Sequence, residues 1–104
     1  MHGLMTPETP SGRRIGPRRF APQREHLLAE IEALAIELDE SAAATASGRV
    51  PIAARADYLR ARDAHHRAAI MWVGSVTSEQ LALVADALRT CRAALESSRA
   101  ALRG

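Results

Sequence analysis

The residues best suited to chemistry are Asp63 and His66, which stand three positions apart in the segment "DAHHR" at 63–67. A carboxylate and an imidazole at this spacing share one helix face, and helix bundles use the same spacing to ligate metal ions. The adjacent side chains of His65 and His66 point about 100° apart, so they do not easily share one metal. The structural alternative is a polar seam in which Asp63 and His66 fix helix register by hydrogen bonding. We expect the structural role, with no bound metal or cofactor.

A second pattern places Arg60 and His65 at the spacing Arg-x-x-x-x-His. It resembles the Arg-x(4–6)-His signature of HEPN-type ribonucleases, a family of small all-α proteins that assemble their site across a dimer. The resemblance implies that His65 acts as general acid or base on a ribose 2′-hydroxyl while Arg60 steadies the phosphate. The structural alternative is a solvated Arg60 and a packed His65. We expect no enzymatic activity, because the sequence has no phosphate-binding glycine loop and no nucleophile motif.

The tripeptide Trp72-Val73-Gly74 falls where a turn between two helices is predicted. It is similar to the Trp-x-Gly turn of the small secreted helical-hairpin family of type VII secretion substrates. The alternative from the residues alone is that Trp72 is an aromatic anchor, packing one outer face of its helix at an interface. We expect the anchor.

Cys91 is the single cysteine of the chain, which excludes an internal disulfide and favours a reducing compartment. It falls on the apolar face of the last predicted helix, so we expect a buried apolar side chain rather than a reactive thiol. No stretch is apolar and long enough for a bilayer span, and residues 1–21 lack the apolar core of a signal peptide. These features predict a cytoplasmic protein.

The first 21 residues contain Pro, Gly, Ser and Thr without a helical period, which predicts a disordered arm. The formal net charge is only +2, yet arginines crowd into this arm and make it basic. The arm residues that could contact phosphates or stack on bases are Arg13, Arg14, Arg18, Arg19 and Phe20. Nucleic-acid binding is therefore an alternative function, beside docking to an acidic protein or membrane surface and beside a solvated terminus.

The rest of the chain predicts an all-α fold, either an antiparallel three-helix bundle or a helical-hairpin coiled coil. Hydrophobic residues make up 47% of the sequence and aromatic residues 3%, so the core must be built mainly from Ala and Leu, which favour helix. The predicted segments are a disordered basic arm at 1–21 and a helical domain at 22–104, with helices at about 22–46, 51–73 and 78–103.

Residue types at the predicted helix ends support these boundaries. Pro22 and Pro51 suit first turns, where a missing N–H is not needed. Gly48 can supply a left-handed cap between the first two helices. Thr77 followed by Gln80 has the form of a capping box at the start of the third helix.

Each predicted helix carries a stripe at alternating spacings of three and four, which we expect to form its buried seam. In the first helix the stripe is Leu27, Ile31, Leu34 and Leu38. In the second helix it is Ile52, Ala56, Leu59, Asp63, His66, Ile70 and Val73. In the third helix it is Leu81, Val84, Leu88, Cys91, Leu95, Ser98 and Leu102.

The second and third helices also carry an additional apolar face, which we expect to be an interface for self-association. Its residues are Tyr58, Trp72, Leu83, Ala87 and Ala94. A chain with this modest core is expected to gain stability by oligomerising. We therefore expect a small non-enzymatic helical interaction, scaffold or regulatory protein that forms a homo-oligomer and engages a protein partner.

Charge predicts which helices pair. The first helix is acidic and the second is basic, so an antiparallel hairpin sets opposite charges together. Glu30 and Glu37 border the first seam, while Arg55 and Arg62 border the second. We expect these residues to face one another, each exposed pair contributing only a few tenths of a kcal/mol.

Overall fold

The protein is a bundle of three long helices, and the computed structural model describes residues 17–104. The helices are α1 (Pro17–Ala44), α2 (Ile52–Val73) and α3 (Ser78–Arg103). No strand occurs in the described residues, which confirms the predicted all-α three-helix bundle. The short connections make consecutive helices antiparallel, so α1 and α3 run parallel. None of the three helices has a stretch long and apolar enough to cross a membrane.

The first helix begins earlier than predicted. We expected the start at Pro22, but α1 begins at Pro17 and Pro22 lies inside it. Pro17 occupies the first turn, where the missing N–H costs nothing, whereas Pro22 removes one hydrogen bond of the helix. Phe20 packs against the core, and burial of its ring favours the longer helix. The predicted arm at 1–21 is therefore too long, because residues 17–21 are helical.

The stripes predicted for α1 and α3 do form the core. The buried stripe residues of α1 are Leu27, Ile31, Leu34 and Leu38. Those of α3 are Leu81, Val84, Leu88, Cys91, Leu95 and Ser98. Leu102, the last predicted position, is half-buried at the end of α3. The alternating spacing keeps these side chains on one face of each helix, as predicted.

The second helix buries the face opposite to the predicted one. Its buried residues are Ala54, Asp57, Ala61, Ala64 and Ala68. The predicted seam residues Ile52, Ala56, Leu59, Asp63, His66, Ile70 and Val73 are all exposed. The prediction for α2 was wrong because the leucines of α1 and α3 already fill the core. Small alanine side chains let the α2 backbone lie close to that surface.

The predicted capping box is present. The Thr77 hydroxyl accepts from the Gln80 N–H at 3.1 Å, and the Gln80 Oε1 accepts from the Thr77 N–H at 3.0 Å. Gly48 does not act as a left-handed cap, since Gly104 is the only described residue with positive φ. Pro51 stands just before α2 as its N-cap rather than in the first turn.

Side chains close the loop between α1 and α2. The Thr45 hydroxyl donates to the Ser41 carbonyl at 2.8 Å. The Arg55 guanidinium donates to the carbonyls of Thr45 and Ser47, each at 2.8 Å. These bonds satisfy one carbonyl in the last turn of α1 and two in the loop that follows, so the loop does not need a left-handed residue at Gly48.

Candidate functional site

The apolar face that α2 turns to solvent is the most distinctive surface of the described residues. We define the outer face of α2 by its seven positions, Ile52, Ala56, Leu59, Asp63, His66, Ile70 and Val73. Exposure of its four large apolar side chains runs from 44% at Leu59 to 87% at Ile52. Single exposed leucines are ordinary on protein surfaces, but a row at this spacing is typical of helices that pair. The outer face of α2 therefore has the pattern of a helix-association surface.

Shallow depressions extend this face at both ends of α2. The first is lined by Gly48, Val50, Ile52, Arg55, Ala56 and Leu59. The second is lined by Ile70, Met71, Gly74, Gln80 and Leu83. Val76 in the following loop is also exposed, at 76%. The apolar surface thus continues beyond the helix at both ends.

Asp63 and His66 lie in the middle of the outer face and do not form the buried seam that we predicted. The Asp63 side chain is 76% exposed and accepts from the Arg67 guanidinium at 3.4 Å. His66 is also exposed. Because the buried side of α2 is the one with its alanines, both residues lie at the surface. Among residues 17–104, His, Cys, Asp and Glu side chains do not gather in groups of three that could hold a metal ion.

Two other polar residues of α2, Asp57 and His65, make the contacts that fix helix positions. Asp57 is 8% exposed, accepts from the Ser97 hydroxyl at 2.6 Å and pairs with Arg60. The Nε2–H of half-buried His65 donates to the Ile31 carbonyl of α1 at 2.8 Å. Asp57 ties α2 to α3 and His65 ties α2 to α1. A packed His65 was predicted from the sequence, whereas the buried Asp57 was not.

The structure divides the residues that we predicted as an interface. Ala87 and Ala94 are buried in the bundle, at 7% and 6% exposure. Tyr58 and Trp72 are half-buried and pack against the core. Only Leu83 is well exposed, at 56%. Most of the predicted interface residues therefore pack within the bundle, and the row of exposed large apolar residues lies on the outer face of α2.

The acidic residues of α1 pair with α3 instead of α2, which corrects the predicted charge pairing. Arg92 donates to Glu30 at 3.3 Å, and Arg99 donates to Glu37 at 2.9 Å. Both the acids and the arginines are seven residues apart. Because α1 and α3 are parallel, the equal spacing brings both pairs into register.

The arginines that we expected to meet those acids have partners elsewhere. Arg55 donates to carbonyls of the loop between α1 and α2. Arg62 lies over the Tyr58 ring, 5.9 Å from Cζ to the centroid. The basic side chains of α2 therefore border its outer face rather than the seam with α1.

Cys91 is fully buried on the inner face of α3, as predicted. Burial raises the pKa of its thiol. The charge of Arg92 opposes this rise and that of Glu37 adds to it. The thiol is therefore neutral and screened from solvent, which suits a packing role.

The residues predicted to form a nucleic-acid arm fall mostly outside the described part of the chain. Arg13 and Arg14 lie outside it, as does the side chain of Arg18. Arg19 is exposed at the beginning of α1. Phe20 is half-buried and packs against the core.

The residues of the two motifs that resemble known families have structural positions in the helix bundle. Arg60 pairs with Asp57, while His65 is directed towards the α1 backbone. Trp72 belongs to the last turn of α2, and Gly74 is the cap that follows. Comparison with known proteins gives no match to a family model, a curated protein or a solved structure.

Proposed function

We propose that the protein is a small non-enzymatic interaction protein that self-associates through the outer face of α2. One observation carries the proposal: the helix leaves Ile52, Leu59, Ile70 and Val73 exposed along its whole length while it buries its alanines. A helix with apolar residues on two sides is expected to bury both. The bundle covers one side of α2, and association covers the other.

The size of the apolar row supports association by simple energetics. Burying one Leu or Ile side chain stabilises a complex by about 1.5–3 kcal/mol. Association costs about 4–15 kcal/mol in lost translational and rotational freedom. A single side chain cannot offset that cost, whereas four from each of two copies can.

The contacts of Arg60 and His65 support the non-enzymatic part of the proposal. The proton on His65 Nε2 is engaged by a backbone carbonyl, and the Arg60 guanidinium is engaged by Asp57. The His65 contact joins α2 to α1, and the Arg60 contact lies within α2. Packing and register therefore account for this pair of residues without a bound ribose or phosphate.

A matched pair of substitutions tests the proposal. Ile70 in the outer face of α2 is 60% exposed, and Ile36 on α1 is 62% exposed. Ile70→Glu places a charge in the association surface and is expected to convert the oligomer to a monomer. Ile36→Glu adds the same charge at equal exposure and is expected to leave the solution mass unchanged. Equal masses for wild type and Ile70→Glu at every protein concentration would refute the proposal.

Nucleic-acid binding by the N-terminal residues is a second candidate function. The observation that favours it is the clustering of Arg13, Arg14, Arg18 and Arg19. Arginines in such a cluster can contact successive phosphates without reading bases. Self-association would then carry two clusters on one particle.

A further inference from the structure

We propose that the outer face of α2 is covered by the same face of a second copy, laid antiparallel so that Asp63 of each copy meets His66 of the other. This inference rests on the proposed function and adds the orientation and register of the pair. A two-fold axis relates the copies, so each contact occurs twice.

The spacing of the outer face sets the possible registers. Its seven positions alternate by four and three residues, which is the seam of a two-stranded coiled coil. One kind of seam position holds Ile52, Leu59, His66 and Val73, and the other holds Ala56, Asp63 and Ile70. In an antiparallel pair, each layer sets a residue of one kind against a residue of the other kind. One register sets the residues opposite each other as Asp63 with His66, Leu59 with Ile70, and Ala56 with Val73.

Charge complementarity selects this register. A shift of one heptad sets Asp63 against Leu59 and His66 against Ala56, which leaves polar groups in apolar layers. Burying such groups without a partner costs several kcal/mol. The proposed register sets acid against imidazole twice, and every remaining complete layer is apolar.

The charged neighbours of this layer have partners within their own copy. Arg67 contacts Asp63 at 3.4 Å, and Arg60 pairs with Asp57. Arg62 lies over the ring of Tyr58. These contacts reduce the repulsion between the arginines of two copies and leave the carboxylate of Asp63 able to accept a second donor.

The ends of α2 favour the antiparallel orientation. The depression at its beginning is formed with Gly48 and Val50, and the one at its end with Gly74 and Leu83. An antiparallel copy brings the first depression to the second, so that Ile52 reaches the exposed loop after α2. A parallel copy would instead set Asp63 against Asp63.

A charge exchange tests the central layer. His66→Asp sets two carboxylates against each other and is expected to weaken the dimer at least tenfold. The double variant Asp63→His with His66→Asp again sets a carboxylate against an imidazole across the axis and is expected to recover wild-type affinity. Failure of the double variant to recover affinity would overturn the register, since both positions are exposed in one copy and tolerate substitution.

Disulfide cross-linking tests the orientation in the full-length chain carrying Cys91→Ala. Ala56→Cys and Val73→Cys are each introduced alone, and the two proteins are then mixed and oxidised. The mixture is expected to form a cross-linked dimer, because positions 56 and 73 face each other. Neither protein alone is expected to cross-link, since identical positions are about 25 Å apart at 1.5 Å rise per residue.

The outcomes separate this inference from the proposed function. Cross-linking of either single variant alone indicates a parallel pair and overturns the inference. Absence of cross-links in the mixture also overturns it, while a dimer that Ile70→Glu dissociates preserves the proposed function. A wild-type monomer that Ile70→Glu leaves unchanged overturns both.

Discussion

The guanidinium of Arg24 stacks on the indole of Trp72, with Cζ 3.8 Å from the ring centroid. The two residues also exchange hydrogen bonds with each other's backbone. Arg24 Nη2 donates to the Trp72 carbonyl at 2.9 Å, and Trp72 Nε1 donates to the Arg24 carbonyl at 2.8 Å. The pair fastens the early part of α1 to the end of α2 and places a cation at the C-terminus of that helix. Trp72 is thus an anchor within the bundle and not an anchor at an outer interface.

Removing this pair is expected to destabilise the bundle. Arg24→Ala loses the stacking and the hydrogen bonds to the end of α2, so we expect a loss of about 1–3 kcal/mol in the free energy of unfolding. Arg19→Ala is the control, because Arg19 is exposed on the same helix. Urea denaturation at equal protein concentration measures both. A loss for Arg24→Ala no greater than that for Arg19→Ala would contradict the proposed contribution of the pair.

The buried alanines of α2 let α2 and α3 approach closely, so larger side chains at these positions are expected to destabilise the bundle. Ala61 is fully buried whereas Ala53, on the same helix, is exposed. Ala61→Leu is expected to lower the free energy of unfolding by about 1–3 kcal/mol through overpacking. Ala53→Leu is expected to change it by less than about 0.5 kcal/mol. Thermal unfolding of the two variants makes the comparison, and equal stabilities would show that α2 and α3 are not closely packed at Ala61.

His65 is expected to act in folding rather than in catalysis. His65→Ala removes the donor to the Ile31 carbonyl and should cost about 1 kcal/mol in the free energy of unfolding. His26→Ala, at an exposed position on α1, should cost less. Incubation of the wild type and both variants with single-stranded RNA provides the second measurement. RNA cleavage that disappears only with His65→Ala would contradict a purely structural role and support the ribonuclease alternative.

Burial of Cys91 predicts a loss of stability at alkaline pH. Because burial raises the pKa of the folded thiol, the unfolded thiol ionises first as the pH rises through about 9.0. The contribution of Cys91 is complete below that pH and decreases above it. The free energy of unfolding should therefore fall more steeply from pH 8 to about pH 10 in the wild type than in Cys91→Ala. Identical slopes would show that the thiol is not desolvated in the fold.

The nucleic-acid alternative is tested with a shortened chain that lacks residues 1–16 and carries Arg18→Ala and Arg19→Ala, which removes all four arginines of the cluster without cutting into α1. If the arginine cluster binds phosphates, the full-length chain is retained on single-stranded DNA at low salt and the shortened chain is not. Circular dichroism checks that the bundle is intact after deletion. Retention of the shortened chain would show that the binding site lies in the bundle. Lack of retention of the full-length chain would exclude nucleic-acid binding as a function.

The sequence predicted the buried faces of α1 and α3 well because each has one row of large apolar residues. It failed for α2, where a row with Ile52 and Ile70 competes with a row of alanines. Larger side chains normally indicate the buried face, but neighbouring leucines leave α2 only enough space for alanine. The periodicity of one helix carries no information about how much of the core the side chains of the other helices fill. The spacing of Ala54, Asp57 and Ala61 was the available signal for the buried face and for Asp57.

The most direct measurement of self-association is the solution mass of the full-length wild type, by size-exclusion chromatography with light scattering. The samples should span low to moderate salt and a wide range of protein concentration. Burial of the outer face of α2 against a second copy predicts twice the chain mass of 11.2 kDa, with little change on adding salt because the contact is mainly apolar. A mass of 11.2 kDa under all these conditions would contradict the central claim.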